Sequence, residues 1–196
     1  MINQVTIFCS SSNIIDKAYK DDATKLTKIL CEQKIDIICG GGETGLMGVL
    51  TDTYLMCDKA NKIIGVRPKF LNDIERGHKN LSELILVETM HERKAKMIEN
   101  TNAIVVLPGG CGTFEELFEI LTLKRLGQFN FPIVLLNTKN FFEPFLSLFY
   151  KMIDENFMHK LHLSMFSLAI NPESVLVEIK KAFQWKNNFT NFAILK

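Results

Sequence analysis

Short runs of β-branched and other apolar residues recur along the chain, and between them apolar positions return every three or four residues. The runs are Val5 to Cys9, Ile35 to Cys39, Lys62 to Val66, Ile85 to Val87, Ala103 to Leu107, Ile133 to Leu136 and Ser167 to Ile170. Strand-length runs alternating with helical patterns predict a parallel sheet wrapped by crossover helices. Between the first two runs Ile15, Ala18, Tyr19, Leu26, Ile29 and Leu30 keep helical spacing, while Asp22, Lys25 and Lys28 fill a solvated side. Neither a repeat nor a linker interrupts the rhythm, which predicts one α/β domain over residues 1–183. Residues 184–196 are richer in Asn and Phe and form a tail whose packing the pattern leaves open.

Ligands of such sheets bind beyond the carboxyl ends of the strands, where the chain order reverses. The residues at those ends are Ser10, Ser11 and Ser12; Gly40, Gly41 and Gly42; Arg67 and Pro68; Glu88 and Thr89; Pro108, Gly109 and Gly110; and Asn137. Two glycine-rich turns and a serine-rich turn on one edge make a polar rim suited to an anion.

Composition narrows what that anion is. The 23 Lys+Arg and 22 Asp+Glu of the 196 residues leave a net charge of +1, without the basic face that a general nucleic-acid binder needs to displace counterions. Eight of the 11 glycines fall within residues 40–48 and 109–112, where backbone can approach a phosphate without Cβ atoms in the way. The five cysteines form no CxxC pair, which suits a reducing compartment. His91 and Glu92 begin an HExxH pattern that Ala95 ends, and no metal-ligand cluster is legible, so neither a metal nor a cofactor is expected. The first 12 residues read as a strand and not as a leader, and no apolar stretch approaches the ~18 residues of a membrane span. The expectation is a cytoplasmic protein with no membrane partner.

The first glycine turn, Gly40-Gly41-Gly42-Glu43-Thr44-Gly45, has the G-x-G-x-x-G spacing of dinucleotide sites. A nicotinamide cofactor also wants an acidic residue at the end of the next strand, where Val66-Arg67-Pro68 stands instead. The second turn, Pro108-Gly109-Gly110-Cys111-Gly112-Thr113-Phe114-Glu115-Glu116, lacks the Lys-Ser/Thr of a Walker A loop. Its amides can hold an anion at a helix start, with Thr113 adding a hydroxyl. Glu115 shares a polar stripe with Glu119 and Thr122. Glu116 shares an apolar stripe with Ile120 and Leu123, and burial there raises a carboxyl toward the range useful for proton transfer. The same Thr113-x-x-Glu116 spacing is a capping box, so two roles for Glu116 stay open. Thr89-x-x-Glu92 is a second capping pattern and predicts a helix near Met90, on which Arg93 and Lys94 share the apolar face with Met90 and Met97. A guanidinium there suits bidentate phosphate binding.

Taken together, Gly40-Gly41-Gly42-x-x-Gly45-Leu46-Met47-Gly48, Met90-x-x-Arg93-Lys94 and Pro108-Gly109-Gly110-x-Gly112-Thr113-x-x-Glu116 resemble the LOG ("lonely guy") family, the cytokinin riboside 5′-monophosphate phosphoribohydrolases. The likeness runs from Val5 to about Ile170. The label "lysine decarboxylase" often attached to that family finds no pyridoxal-phosphate signature here. The resemblance implies a Rossmann-like, doubly wound subunit, commonly in a homodimer, that hydrolyses a nucleoside 5′-monophosphate to free base and ribose 5-phosphate. It implies Arg93 and Glu116 as the catalytic pair. Substrate contacts fall on Glu75, Lys94, Gly109, Gly110, Cys111, Gly112, Thr113, Phe114, Glu115 and Thr122, with Gly41, Gly42 and Ser11 on the rim. Ser10 replaces a glycine usual in the family, and Thr122-Leu123-Lys124-Arg125 replaces a more aromatic sequence, which bears on base preference. Two other classes remain: a module that binds a nucleotide or phosphorylated cofactor without chemistry, and a nicotinamide-linked enzyme.

Overall fold

The computed structural model describes residues 2–57, 61–73 and 75–183. Every predicted run becomes a strand: β1 (Gln4–Phe8), β2 (Asp36–Cys39), β3 (Ile63–Pro68), β4 (Glu83–Val87), β5 (Ala103–Val106), β6 (Ile133–Leu136) and β7 (Ser167–Ala169). The helices between and after them are α1 (Lys17–Glu32), α2 (Gly45–Leu55), α3 (Met90–Ile98), α4 (Cys111–Arg125), α5 (Glu143–Asp154) and α6 (Pro172–Phe183). All strand pairs are parallel, in the order β4-β3-β2-β1-β5-β6-β7. Continuous apolar runs such as Ala103–Val106 suit this sheet, because its inner strands are buried on both faces. Residues 184–196, the expected tail, lie outside the described residues.

The two faces of the sheet bury different helices. Leu26 and Leu30 of α1, Leu46 and Leu50 of α2 and Ile179 of α6 cover one face. Met97 of α3, Leu117, Ile120 and Leu121 of α4 and Phe145 and Phe149 of α5 cover the other. Each such side chain removed from water contributes roughly 1.5–3 kcal/mol, and these contacts fix where the helix ends fall. Phe114, Phe142, Phe145, Phe149 and Phe166 form a ring cluster between α4 and α5, with the closest centroids, Phe145 and Phe149, 4.4 Å apart. Thr6 Oγ1 donates to the Met97 carbonyl (2.6 Å) and ties α3 to β1.

Winding reverses between β1 and β5. Their register, Val5↔Ala103 through Phe8↔Val106, brings the two chains out of the sheet level with each other, and the Leu107 amide donates to the Phe8 carbonyl (2.9 Å). The serine turn after β1 and the glycine turn after β5 therefore flank one crevice, the topological switch point of the sheet.

Two boundaries differ from the sequence reading. Strand β3 runs two residues further, because Arg67 and Pro68 continue the pairing with Leu86 and Val87. Helix α4 starts at Cys111 with Gly110 as its N-cap, so Thr113 lies inside the helix and cannot cap it.

Candidate active site

The second glycine turn is the open one. Helix geometry leaves the amides of Cys111, Gly112 and Thr113 without intrahelical acceptors, and a Cβ built on Gly110 or Gly112 would meet nothing within 4 Å. Gly109 is tighter, since its Cβ would strike Thr113 Oγ1 at 2.1 Å. The first glycine turn was expected to cradle phosphate as well, but the protein itself uses its helix start. The Gly45 amide donates to Asn13 Oδ1 (2.8 Å), the Leu46 amide to the Ser10 carbonyl (2.9 Å), and Gly45 (φ +62°) has Ser11 backbone where a side chain would go. Its function is to bring backbone close to the serine turn and to two arginines.

One of those arginines is Arg93. Thr89 caps α3 by accepting from the Glu92 amide (3.1 Å), as predicted, and Glu92 reaches back to the Glu88 amide (2.8 Å). One turn in, Arg93 is only 12% exposed. Its Nε donates to the Val66 carbonyl (3.1 Å), and Gly40 leaves the room it needs, because a Cβ there would lie 2.2 Å from Nη2. Arg93 Nη1 is 3.3 Å from Glu116 Oε1. Burial, which leaves the Glu116 side chain 8% exposed, pushes its carboxyl up to about 7 despite the opposing pull of Arg93. The capping role left open by the sequence is thus excluded: Glu116 is turned to Arg93, on the apolar stripe where it was predicted.

A cavity of about 320 Å³ opens over this pair. Its wall includes Ser11, Glu75, Arg93, Gly110, Cys111, Gly112, Thr113 and Glu116, eight of the predicted site residues. Glu75 arrives from the segment after β3. Gly42 and Gly77 form an antiparallel bridge, the Glu43 amide donates to the Arg76 carbonyl (3.1 Å) and the His78 amide to the Gly41 carbonyl (2.9 Å). Thr44 Oγ1 then donates to Glu75 Oε1 (3.4 Å).

The other named residues stand off the cavity wall. Lys94, 15% exposed, pairs with Glu115 and Glu119 across to α4. Burial pushes its ammonium down, but the two carboxylates outweigh it and the net direction is up. Phe114 packs on Phe141, Phe142 and Phe145, and the exposed Thr122 donates its hydroxyl to the Phe118 carbonyl (2.8 Å). A Cβ on Gly42 would crowd Met47 and Glu75, one on Gly109 would strike Thr113, and one on Gly41 would crowd Arg67. The apolar lining of Ile7, Cys9, Met47, Leu71 and Met97 was not assigned to the site from the sequence, in which Ile7 and Cys9 belong to the first strand run and Met47 to the first glycine motif. Met97 had a signal, one turn after Arg93 on the same face. Among the described residues no group of three or more His, Cys, Asp or Glu is placed to hold a metal ion.

The profile of a family described as "Possible lysine decarboxylase" matches residues 47–179. The cytokinin riboside 5′-monophosphate phosphoribohydrolase LOG2 of Arabidopsis thaliana is 39% identical over 155 residues, 79% of this chain and 72% of that protein. The probable cytokinin riboside 5′-monophosphate phosphoribohydrolase LOGL2 of Oryza sativa subsp. japonica is 35% identical over 178 residues, 91% of this chain and 72% of its own length. Among solved structures, the molybdenum cofactor carrier protein of Chlamydomonas reinhardtii superposes with a TM-score of 0.69 at 16% identity, covering 94% of this chain and 100% of that one. The molybdenum cofactor binding protein of Rippkaea orientalis gives 0.68 at 17% identity, covering 93% and 98%. At that identity the two structures establish the Rossmann-like fold and nothing of the ligand. Matched over most of its length by the profile and by relatives of one name, the chain belongs to the LOG family of cytokinin riboside 5′-monophosphate phosphoribohydrolases.

Proposed function

We propose that this protein hydrolyses the N-glycosidic bond of nucleoside 5′-monophosphates, cytokinin ribotides among them, to the free base and ribose 5-phosphate. The observation that carries the reading is the buried Arg93–Glu116 pair, 3.3 Å apart, beside the open amino terminus of α4. The relatives named above act on such a substrate by name.

The amides of Cys111, Gly112 and Thr113, at the positive end of the α4 dipole, take the 5′-phosphate. That anchor sets the sugar over the next turn of the same helix, where Glu116 projects. As the bond to the base lengthens, positive charge grows on the sugar, as in glycoside hydrolysis. The Glu116 carboxylate, poised near neutrality, stabilises that charge and takes a proton from the attacking water. Arg93, held by the Val66 carbonyl, keeps Glu116 oriented and ionised and offsets negative charge on the substrate. Glu75 accepts hydrogen bonds from the ribose hydroxyls.

A homodimer in a reducing, cytoplasmic setting belongs to the same proposal. Leu84 and Leu86 on the edge strand β4 are 44% and 46% exposed, as a face met by a second copy would be in the isolated chain. All five thiols are free, and no helix among the described residues is long and apolar enough to cross a membrane.

The test is to incubate the protein with AMP, N6-isopentenyl-AMP and the matching unphosphorylated ribosides and to separate products by chromatography. Free base is expected from the monophosphates and little from the ribosides. Tight nucleotide binding with no turnover across a panel of bases would replace the hydrolase by a binding module.

A further inference from the structure

Arg67 is the bulkiest of the fully buried side chains, 1% exposed, and the chemistry described so far makes no use of it. A guanidinium stays charged in a protein interior, so burying one is expensive unless its donors are met. Here glycines make the room. Gly41, at φ +71°, would put a Cβ 3.3 Å from Arg67 Cγ, and Gly77 would put one 3.2 Å from Arg67 Nε. The side chain thus runs between the first glycine turn and the segment that carries Glu75. Its Nη2 donates to the Glu75 carbonyl (2.5 Å) and, at 3.5 Å, to the Leu71 carbonyl. Nη1 lies 4.0 Å from Glu75 Oε2, while Nε has no hydrogen-bond partner among the described residues. Leu71 and Glu75, the two residues gripped, are the two that this segment contributes to the cavity wall.

We propose that Arg67 is a positioning residue: its buried guanidinium holds Leu71 and Glu75 by their backbone so that the 27%-exposed Glu75 carboxylate faces the sugar hydroxyls of a bound nucleotide. The inference rests on the reading of the cavity as a nucleotide site, and it assigns to Arg67 a part in sugar recognition without contact to the substrate. Two nitrogens act together: Nη2 grips the two carbonyls and fixes where the segment lies, and Nη1 sets positive charge behind the Glu75 carboxylate. Lys cannot replace this geometry, since its single ammonium has no second nitrogen to hold the place of Nη1 near the Glu75 carboxylate while the first reaches the two carbonyls.

The experiment compares Arg67→Met, Arg67→Lys, Glu75→Gln and the Arg67→Met/Glu75→Gln double variant with wild type on AMP and 2′-deoxy-AMP, reading kcat and KM separately, and dissociation constants by calorimetry. Wild type is expected to prefer the ribonucleotide. Loss of one charge-assisted contact should raise the KM for AMP about tenfold in Arg67→Met, with kcat within about threefold, and lower the ribo/deoxy preference by a similar factor. Arg67→Lys should fall between, and the double variant should be no worse than Glu75→Gln alone. A folded Arg67→Met with wild-type KM and sugar preference overturns the proposal, as does an equal loss on both sugars confined to kcat, which marks a merely structural role. If Arg67→Met fails to fold, Arg67→Lys decides by the same readouts, wild-type behaviour being the refuting result. If wild type releases no base from any nucleotide, the hydrolase reading fails on its own, and the binding constants of the same variants still test Arg67.

Discussion

Replacing Glu116 with Gln separates stability from catalysis, because the two effects carry opposite signs. The Glu116 carboxyl is raised from an ordinary 4.5 to about 7, with burial as the largest cause. A group whose folded value lies above its unfolded one gives its full stabilising contribution below the unfolded value and loses it as pH rises through the folded one. Ionised Glu116 therefore weakens folding across pH 4.5 to 7, by about 3 kcal/mol at the upper end if the whole shift is expressed. Gln keeps the shape and an acceptor for Arg93 but never ionises. The difference in Tm between Glu116→Gln and wild type should thus move in favour of the variant by about 6–10 °C from pH 5 to pH 8.5. Base release from AMP should fall by about 10²- to 10⁴-fold above pH 7, where wild-type Glu116 is ionised, and by less toward pH 5. Thermal melts and chromatographic rates on one preparation check both. A Tm difference that does not change with pH would refute the burial argument, and a fully active Gln variant would refute the catalytic assignment.

Four further outcomes follow from the same geometry. Wild-type kcat/KM should rise with pH through an apparent value near 7, since the carboxylate is the working form, and a profile flat from pH 5.5 to 8.5 would contradict that. Arg93→Ala removes the charge facing Glu116 and should lower base release at least about 100-fold while far-UV circular dichroism stays native, because Arg93 lies on the cavity wall and not in either core. Gly40→Ala places a Cβ 2.2 Å from Arg93 Nη2, a movable side-chain end, so the fold should survive while turnover drops; an unchanged rate would show that Arg93 need not occupy its present place. Gly112→Ala meets nothing within 4 Å, so its Tm should match wild type within a degree or two, while the KM for AMP rises about tenfold if the α4 amides hold the phosphate.

Much of this was legible from the residues alone. Seven apolar runs became seven strands, and the inner ones were legible because strands buried on both faces of a parallel sheet need continuous apolar sequence, a signal independent of the rest of the chain. The buried setting of Glu116 could be read from helical phase, since its neighbours at one-turn spacing, Ile120 and Leu123, decide which face it shares. The Thr89 cap could be read because capping is local. Tertiary structure decided what depended on distant partners. Thr113-x-x-Glu116 had the spacing of a cap and did not become one, because Gly110, three residues earlier, is the N-cap of α4 and Arg93, on another helix, lies 3.3 Å from Glu116. The two glycine turns looked alike in sequence, yet Asn13 and Ser10 occupy the helix start of the first, leaving only the second open. Lys94 was expected to meet substrate beside Arg93; Glu115 and Glu119, 21 and 25 positions further along the chain, draw it to α4. Arg67 ends an ordinary strand by pattern, and the glycines that make its burial feasible, Gly41 and Gly77, stand about 26 and 10 residues away in sequence, yet a Cβ on either would crowd its side chain. The local sequence determined the elements and the face each side chain takes; which of two equivalent motifs stays free for a ligand was settled by the side chains that other parts of the chain bring against it.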